Sequence, residues 1–350
     1  SRIESDHHRM SNRHIDILVA GLTRLAQLNP KRAYQVMISL DEHFDNAELA
    51  KMAVSKAIVR HSLFAERSPA PSDWLQAQIR SLQDDDLTLI WLRKRISSGH
   101  WRELSEEIGW LSPKVRAEDR WQYWLARSHA ESGDSDTEAL WRELAQKRSF
   151  HGFLAADRLS LPYALNAVES LEPLPAFSAG TRRGVERAQE LLALGKQREA
   201  KEQWRHTVNL ISRDTRSRLG EIALLRGWPD LAADAANAGF DWDRLDLRFP
   251  VAYWDAFKLA GAENKVDAFT LLALSRRESG LYALARSKAG ARGLMQVIPA
   301  TARSVAQGLG ERYRGATSLY RPETNIPLGS AYFATLMARF ENNRIKSLAA

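Results

Sequence analysis

The sequence predicts an all-α protein, with only a small extended excursion near its C-terminal end. Three observations predict it. Apolar residues recur at helical spacing, short breaks of Pro, Gly, Ser and Asn separate the runs, and no stretch before about Arg286 alternates as a strand does.

The first part spans residues 15–159. Ile15, Leu18, Val19, Leu22 and Leu25 share one helical face, and Ile90, Trp91 and residues 93–96 repeat the pattern. Breaks fall at Asn29-Pro30, residues 68–71, Ser98-Gly99, Ser112-Pro113 and Gly133-Asp134. Runs of about one to two dozen residues between such breaks indicate antiparallel helix pairs. Trp91-Leu92 and Trp124-Leu125 stand 33 residues apart, and each precedes a small polar break, Ser98-Gly99 or Ser132-Gly133. That period suits a solenoid in which each helix pair buries one face on the next. Both indoles are then expected to be buried at equivalent places.

Pro162, Pro173, Pro175 and Gly180-Thr181 mark an irregular connector. Helices resume over residues 185–238, with stops at Gly195, Gly227-Trp228-Pro229 and Gly239. Phe249-Pro250 leads into the last segment. The expected domains are therefore residues 1–170, 184–249 and 251–350.

Composition narrows the chemistry. With 350 residues and a 44% hydrophobic fraction, the chain can bury two or three cores. It has no cysteine, which removes disulfides, thiol nucleophiles and Cys-ligated metals. None of the nine histidines lies beyond His206, so the last segment cannot hold a Ser-His-Asp triad, a Cys-His pair or a His-rich metal site. His7-His8 reads as a polar terminus rather than a metal site. The formal charge of +7 suits an anionic partner, but the basic residues are scattered and a solvated surface explains them. No aromatic-basic motif points to nucleic acid. No run approaches the ~18 apolar residues of a transmembrane helix. The first residues carry no apolar core of a secretory leader. With no initiator Met, the chain is expected to be a mature or fragmentary piece.

Residues 262–302 carry the candidate site. Asn264 or Asp267 can cap a helix that would bury Val266, Phe269, Leu272 and Ala273. The helix ends at Glu278-Ser279-Gly280, and Gly280 is a natural residue to stop it. Glu278 then sits in the last turn, where the helix dipole disfavours its ionised form. An apolar wall, for which Leu281, Met295 and Ile298 are candidates, would act in the same direction. A protonated Glu is what a general acid at a glycosidic oxygen needs. Downstream, Gly290, Ala291 and Gly293 let the backbone turn tightly and a sugar approach closely. Gln296 can both donate to and accept from hydroxyl and acetamido groups. Most glycosidases use two carboxylates, yet no Asp or Glu lies between Glu278 and Glu311. A lone carboxylate suggests that the substrate's own acetamido group assists.

Glu278-Ser279, Ser287 and Gly290-Ala291-x-Gly293-Leu294-Met295-Gln296-x-x-Pro299-x-Thr301-Ala302 together resemble the signature of the soluble lytic murein transglycosylases. Residues 321–326, Phe340-x-Asn342-Asn343, the segment beginning Phe150-His151-Gly152-Phe153 and residues 185–249 are similar to further parts of that family. The resemblance implies an α-superhelical domain, a helical linker domain and a mostly α, lysozyme-like catalytic domain. It implies a periplasmic lyase that cleaves peptidoglycan between N-acetylmuramic acid and N-acetylglucosamine and leaves a 1,6-anhydro end. Glu278 would be first acid and then base, and Ser287, Met295 and Gln296 would line the substrate site. No cofactor or metal is implied. The partners are peptidoglycan glycan strands and other cell-wall enzymes. Ile298 departs from the Met usual there. The family continues past the position of Ala350, so the catalytic domain is expected to be truncated here. A hydrolytic muramidase and a non-catalytic helical scaffold that binds the wall are the alternatives.

Overall fold

Helical periodicity in the first part becomes ten helices in the computed structural model, which describes residues 12–44, 47–66, 69–133, 137–168 and 174–350. His7-His8 lies outside these. The ten are α1 (Asn12–Leu28), α2 (Pro30–Ser39), α3 (Glu48–Phe64), α4 (Ser72–Leu82), α5 (Asp85–Ser98), α6 (Trp101–Ile108), the single turn α7 (Pro113–Arg116), α8 (Asp119–Glu131), α9 (Glu138–Ala145) and α10 (Phe150–Leu159). Local chemistry sets several starts. Asn29, Asp84 and Ser149 each accept a backbone N–H of the first turn of α2, α5 and α10. Gly99 ends α5 in the left-handed conformation.

Each helix packs mainly on its sequence neighbours, from α1 on α2 and α3 through to α9 on α10. This is the nearest-neighbour packing of a helical array. Leu22, Ile58, Ile79, Leu92, Leu104 and Trp121 belong to its larger core, and Ala126, Trp141, Leu144 and Ala155 to a smaller one. Trp91 is buried at 7% exposure, but in α8 the corresponding deep position belongs to Trp121 at 2%. Trp124 is half-buried and stacks on Trp101, with ring centroids 6.3 Å apart. The repeat therefore exists at the level of helices, with a different indole in the core of its second copy.

The chain divides into two compact units, the first ending at Asn166 and the second starting at Ala167. The second begins with α11 (Ala179–Ala193), α12 (Gln197–Asn209), α13 (Arg216–Leu225), α14 (Pro229–Gly239) and the short α15 (Leu245–Arg248). Trp204 is fully buried among them, and its indole N–H donates to the Leu231 carbonyl at 2.9 Å. Then follow α16 (Trp254–Asn264), α17 (Ala268–Ser279), α18 (Pro299–Gly308), α19 (Pro322–Arg339) and α20 (Arg344–Ala349). Phe257, Leu271, Leu294, Ile326 and Phe333 form the core of this part. Between α17 and α18 the only β pairing among the described residues is two isolated bridges, Arg286 to Arg292 and Arg292 to Val297. This is the expected small extended excursion.

Candidate active site

Helix α17 carries the candidate acid. Asp267 starts it, accepting from the Thr270 N–H at 2.7 Å and from the Thr270 hydroxyl at 2.8 Å. Those bonds hold the Asp267 carboxyl below the usual carboxylate range. Asn264, the other capping candidate, instead closes α16 by donating to the Ala260 carbonyl. The buried face is Leu271, Leu272 and Ser275. Phe269, expected inside, is 59% exposed and lies against Trp254 with ring centroids 4.5 Å apart. An aromatic ring covered by a surface neighbour satisfies the same pattern as a core residue, and sequence spacing does not separate the two.

Gly280 terminates α17 at φ +63°, so Glu278 sits in the last turn. It is exposed, with no hydrogen-bond or ion-pair partner among the described residues. Arg276 is committed elsewhere: its Nε donates to the Arg248 carbonyl at 2.6 Å and its guanidinium lies over the Phe249 ring. The expected apolar wall is not built as anticipated. Leu281 and Met295 turn into the core at 1% and 7% exposure, while Ile298 is 44% exposed.

Residues 285–297 form a tightly cross-tied loop beside this helix. Ser287 closes its first turn, because its N–H donates to the Ala291 carbonyl at 3.0 Å and its hydroxyl accepts the Ala291 N–H at 3.1 Å. Arg292 and Val297 exchange backbone bonds, each 3.1 Å. The Gln296 amide nitrogen donates to the Gly293 carbonyl at 2.9 Å and the Ala285 carbonyl at 3.3 Å. Its side-chain oxygen has no partner among the described residues, so it is open to a donor.

The two glycines of the motif serve different needs. Gly290, at φ +87°, has nothing within 4 Å of where a Cβ would sit, so open space adjoins the loop there. Gly293, at φ +77°, would place a Cβ 2.0 Å from the Leu319 carbonyl oxygen and 2.3 Å from the Asn325 amide. Packing against the protein, not the approach of a sugar, excludes a side chain at Gly293.

Asn325 is the residue whose role the sequence did not disclose. It is fully buried in α19. Its Oδ1 accepts the Met295 N–H at 2.7 Å, and its Nδ2 donates to the carbonyls of Arg292 at 2.8 Å and Leu319 at 2.9 Å. Ser275, one turn before Glu278, donates to the Leu294 carbonyl at 3.1 Å. The acid's helix and the loop are thus fastened together, and the loop is fastened to α19. Met295 contributes from inside: its side chain fills the space over Gly329.

Among the described residues no group of His, Asp and Glu is arranged to hold a metal. A groove of about 970 Å³ opens elsewhere in the second unit, between Tyr313, Arg314, Arg321 and Pro327. Glu278 is not among its lining residues, and the candidate site is placed by chemistry rather than by size.

Residues 255–350 match the family model of the transglycosylase SLT domain, and residues 179–245 that of the soluble lytic murein transglycosylase L domain. The soluble lytic murein transglycosylase of Salmonella typhimurium is 32% identical over 286 residues, which is 80% of this chain and 44% of that one. Its Escherichia coli K12 counterpart is 31% identical over 281 residues, 79% and 43% respectively. The chain thus spans under half the length of these curated relatives. The solved structure of the 70 kDa soluble lytic transglycosylase from Escherichia coli has a TM-score of 0.82 at 25% identity, covering 96% of this chain and 55% of that one. An inactive Glu-to-Gln mutant of the lytic transglycosylase Slt from Pseudomonas aeruginosa has a TM-score of 0.75 at 27% identity, again covering 96% and 55%.

Proposed function

We propose, from the premise that the chain belongs to the soluble lytic murein transglycosylase family, that Glu278 alone cleaves the β-1,4 bond between N-acetylmuramic acid and N-acetylglucosamine. The product would carry a 1,6-anhydromuramyl end. The observation that carries this reading is the lone carboxylate: Glu278 is exposed at the end of α17, beside a rigid loop, and the next acidic residue is Glu311.

In this reading Glu278 enters protonated and gives its proton to the departing N-acetylglucosamine oxygen as the bond to the muramyl anomeric carbon breaks. The muramyl acetamido oxygen stabilises the cation that develops. Glu278, now a carboxylate, takes the proton of the muramyl 6-hydroxyl while that oxygen attacks the anomeric carbon. The proton returns to Glu278, no water is consumed, and a second carboxylate is unnecessary. The free Gln296 oxygen and the open space at Gly290 face the substrate. Ser287 and Met295 act through the loop they brace, the first closing its turn and the second filling its underside. That a single Glu-to-Gln change inactivates the Pseudomonas aeruginosa relative supports one carboxylate as the centre of the chemistry. In this reading the enzyme works in the periplasm, where such a substrate lies.

Mass spectrometry of the products from purified glycan strands tests this. Anhydro ends are one water lighter than hydrolysed ends. Anhydro products are expected; hydrolysed products indicate a muramidase, and no cleavage indicates a scaffold.

A further inference from the structure

Residues 179–239 and the catalytic part belong to the same compact unit, and a cavity of about 350 Å³ opens where they meet. One side comes from the first turn of α14 and the loop before it, with Trp228 and Asp230. The other comes from Tyr253, Tyr282 and Tyr320. Four aromatic rings therefore face one small space, and all four are half-buried rather than sealed in the core. The volume is at the lower end of the ~300–1,000 Å³ typical of ligand sites, with room for about one sugar ring or two.

Asp230, the charged residue of this lining, is compensated by ion pairs behind the wall. Lys201 Nζ lies 2.7 Å from Asp230 and 3.0 Å from Asp234, and Arg205 lies 2.9 Å from Asp234. Two cations answer two carboxylates, so a charged peptide or a polyanion finds no uncompensated partner in this cluster. The Lys201 ammonium also lies 4.7 Å from the Tyr282 ring centroid, tying the helical module to the segment just after Glu278. Among the described residues the Tyr282 hydroxyl is buried without a hydrogen-bond partner, so it is the Tyr282 ring that lines the cavity. Tyr282 follows Glu278 by four residues, so the cavity begins within about 14 Å of the acid by chain reach. An oligosaccharide can span that distance.

We propose that this cavity is an accessory subsite for one uncharged N-acetylglucosamine ring of the glycan strand, packed against Trp228 and Tyr282 at the junction of helical module and catalytic domain. The identity of the strand rests on the glycan reading of Glu278. The neutrality and aromatic lining of the cavity do not.

Calorimetric titration with a chito-oligosaccharide of about six rings, long enough to reach from the acid into the cavity, tests the subsite. It is done in the Glu278→Gln chain, so that no ligand is consumed. Trp228→Ala and Tyr282→Ala in that background are expected to weaken binding about 3- to 10-fold each. Tyr282→Phe keeps the ring that lines the cavity and should bind as the parent does, which separates loss of the ring from loss of the fold. Failure of the parent to bind the oligosaccharide overturns the subsite, and so does equal affinity in the parent and both alanine forms. Wild-type product formation is followed separately. A chain that makes no anhydro product yet binds through Trp228 and Tyr282 loses the catalytic reading and keeps the subsite. A chain that makes the product but binds identically in all forms loses the subsite alone.

Discussion

Replacing Asn325 with Ala should loosen the loop that flanks Glu278 and destabilise the second unit. Three groups lean on this side chain: the Met295 N–H and the carbonyls of Arg292 and Leu319. The Arg292 carbonyl keeps the Val297 N–H at 3.1 Å. The other two are left buried without partners, at about 1–3 kcal/mol each. Water entering the vacated space recovers part of that, leaving a loss of about 2–4 kcal/mol. For a unit of this size each kcal/mol lowers the melting midpoint by about 2–4 °C, so scanning calorimetry should show a drop of about 5–15 °C. Activity should fall alongside, because Ser275 ties the acid's helix to the same loop through Leu294. A loss below about 0.5 kcal/mol, the range of an ordinary surface change, with loop amides still protected from hydrogen exchange, would refute the clamp.

Gly293→Ala should cost more than Gly290→Ala. The first adds a clash with the Leu319 carbonyl to its unfavourable φ, while the second meets open space and costs about 1–2 kcal/mol for conformation alone. Paired thermal melts that rank them equally would contradict this. Asp267→Ala should remove about 0.5–2 kcal/mol of capping at neutral pH. Because the folded Asp267 carboxyl titrates below its ordinary value, its contribution is present above about pH 4 and fades as pH falls through the folded value. Urea melts of parent and variant should therefore converge as the pH falls below about 4, and a constant gap would argue against the cap. In the first unit, Trp121→Ala should cost about 3–5 kcal/mol and Trp124→Ala clearly less. The reverse order would restore Trp124 as the core member of the repeat.

Periodicity made the helices legible, because a buried stripe leaves its mark every three or four residues regardless of what it packs on. Breaks were legible where Pro or Gly forces them, as at Asn29-Pro30, Ser98-Gly99 and Gly227-Trp228-Pro229. The partner of each apolar residue was not, which is why Phe269 and Trp124 were expected deeper than they lie. At the candidate site, Glu278, Gly290 and Gln296 could be singled out as candidates because acid chemistry, left-handed backbone and amide hydrogen bonding restrict residue type. Asn325 stands 30 residues from Met295, the nearest in sequence of the two loop residues it holds, and its amide looks like any other in a helical run. Only the folded chain shows that both its donor and its acceptor are spent on backbone. The same applies to the cavity at Trp228 and Tyr282, whose walls come from segments about 50 residues apart.

The turnover of Glu278→Gln on purified glycan strands is the most direct measurement. Glu278 is exposed and has no partner among the described residues, so the substitution should leave the melting midpoint unchanged. General acid catalysis alone supplies ~10²–10⁴-fold, and in the proposed mechanism the same carboxyl also serves as the base. Release of anhydromuramyl ends should therefore fall by at least about a hundredfold. A folded variant that keeps a tenth of the parent rate, on the order of a tenfold loss only, would show that another group carries the proton and that Glu278 is not the sole acid and base.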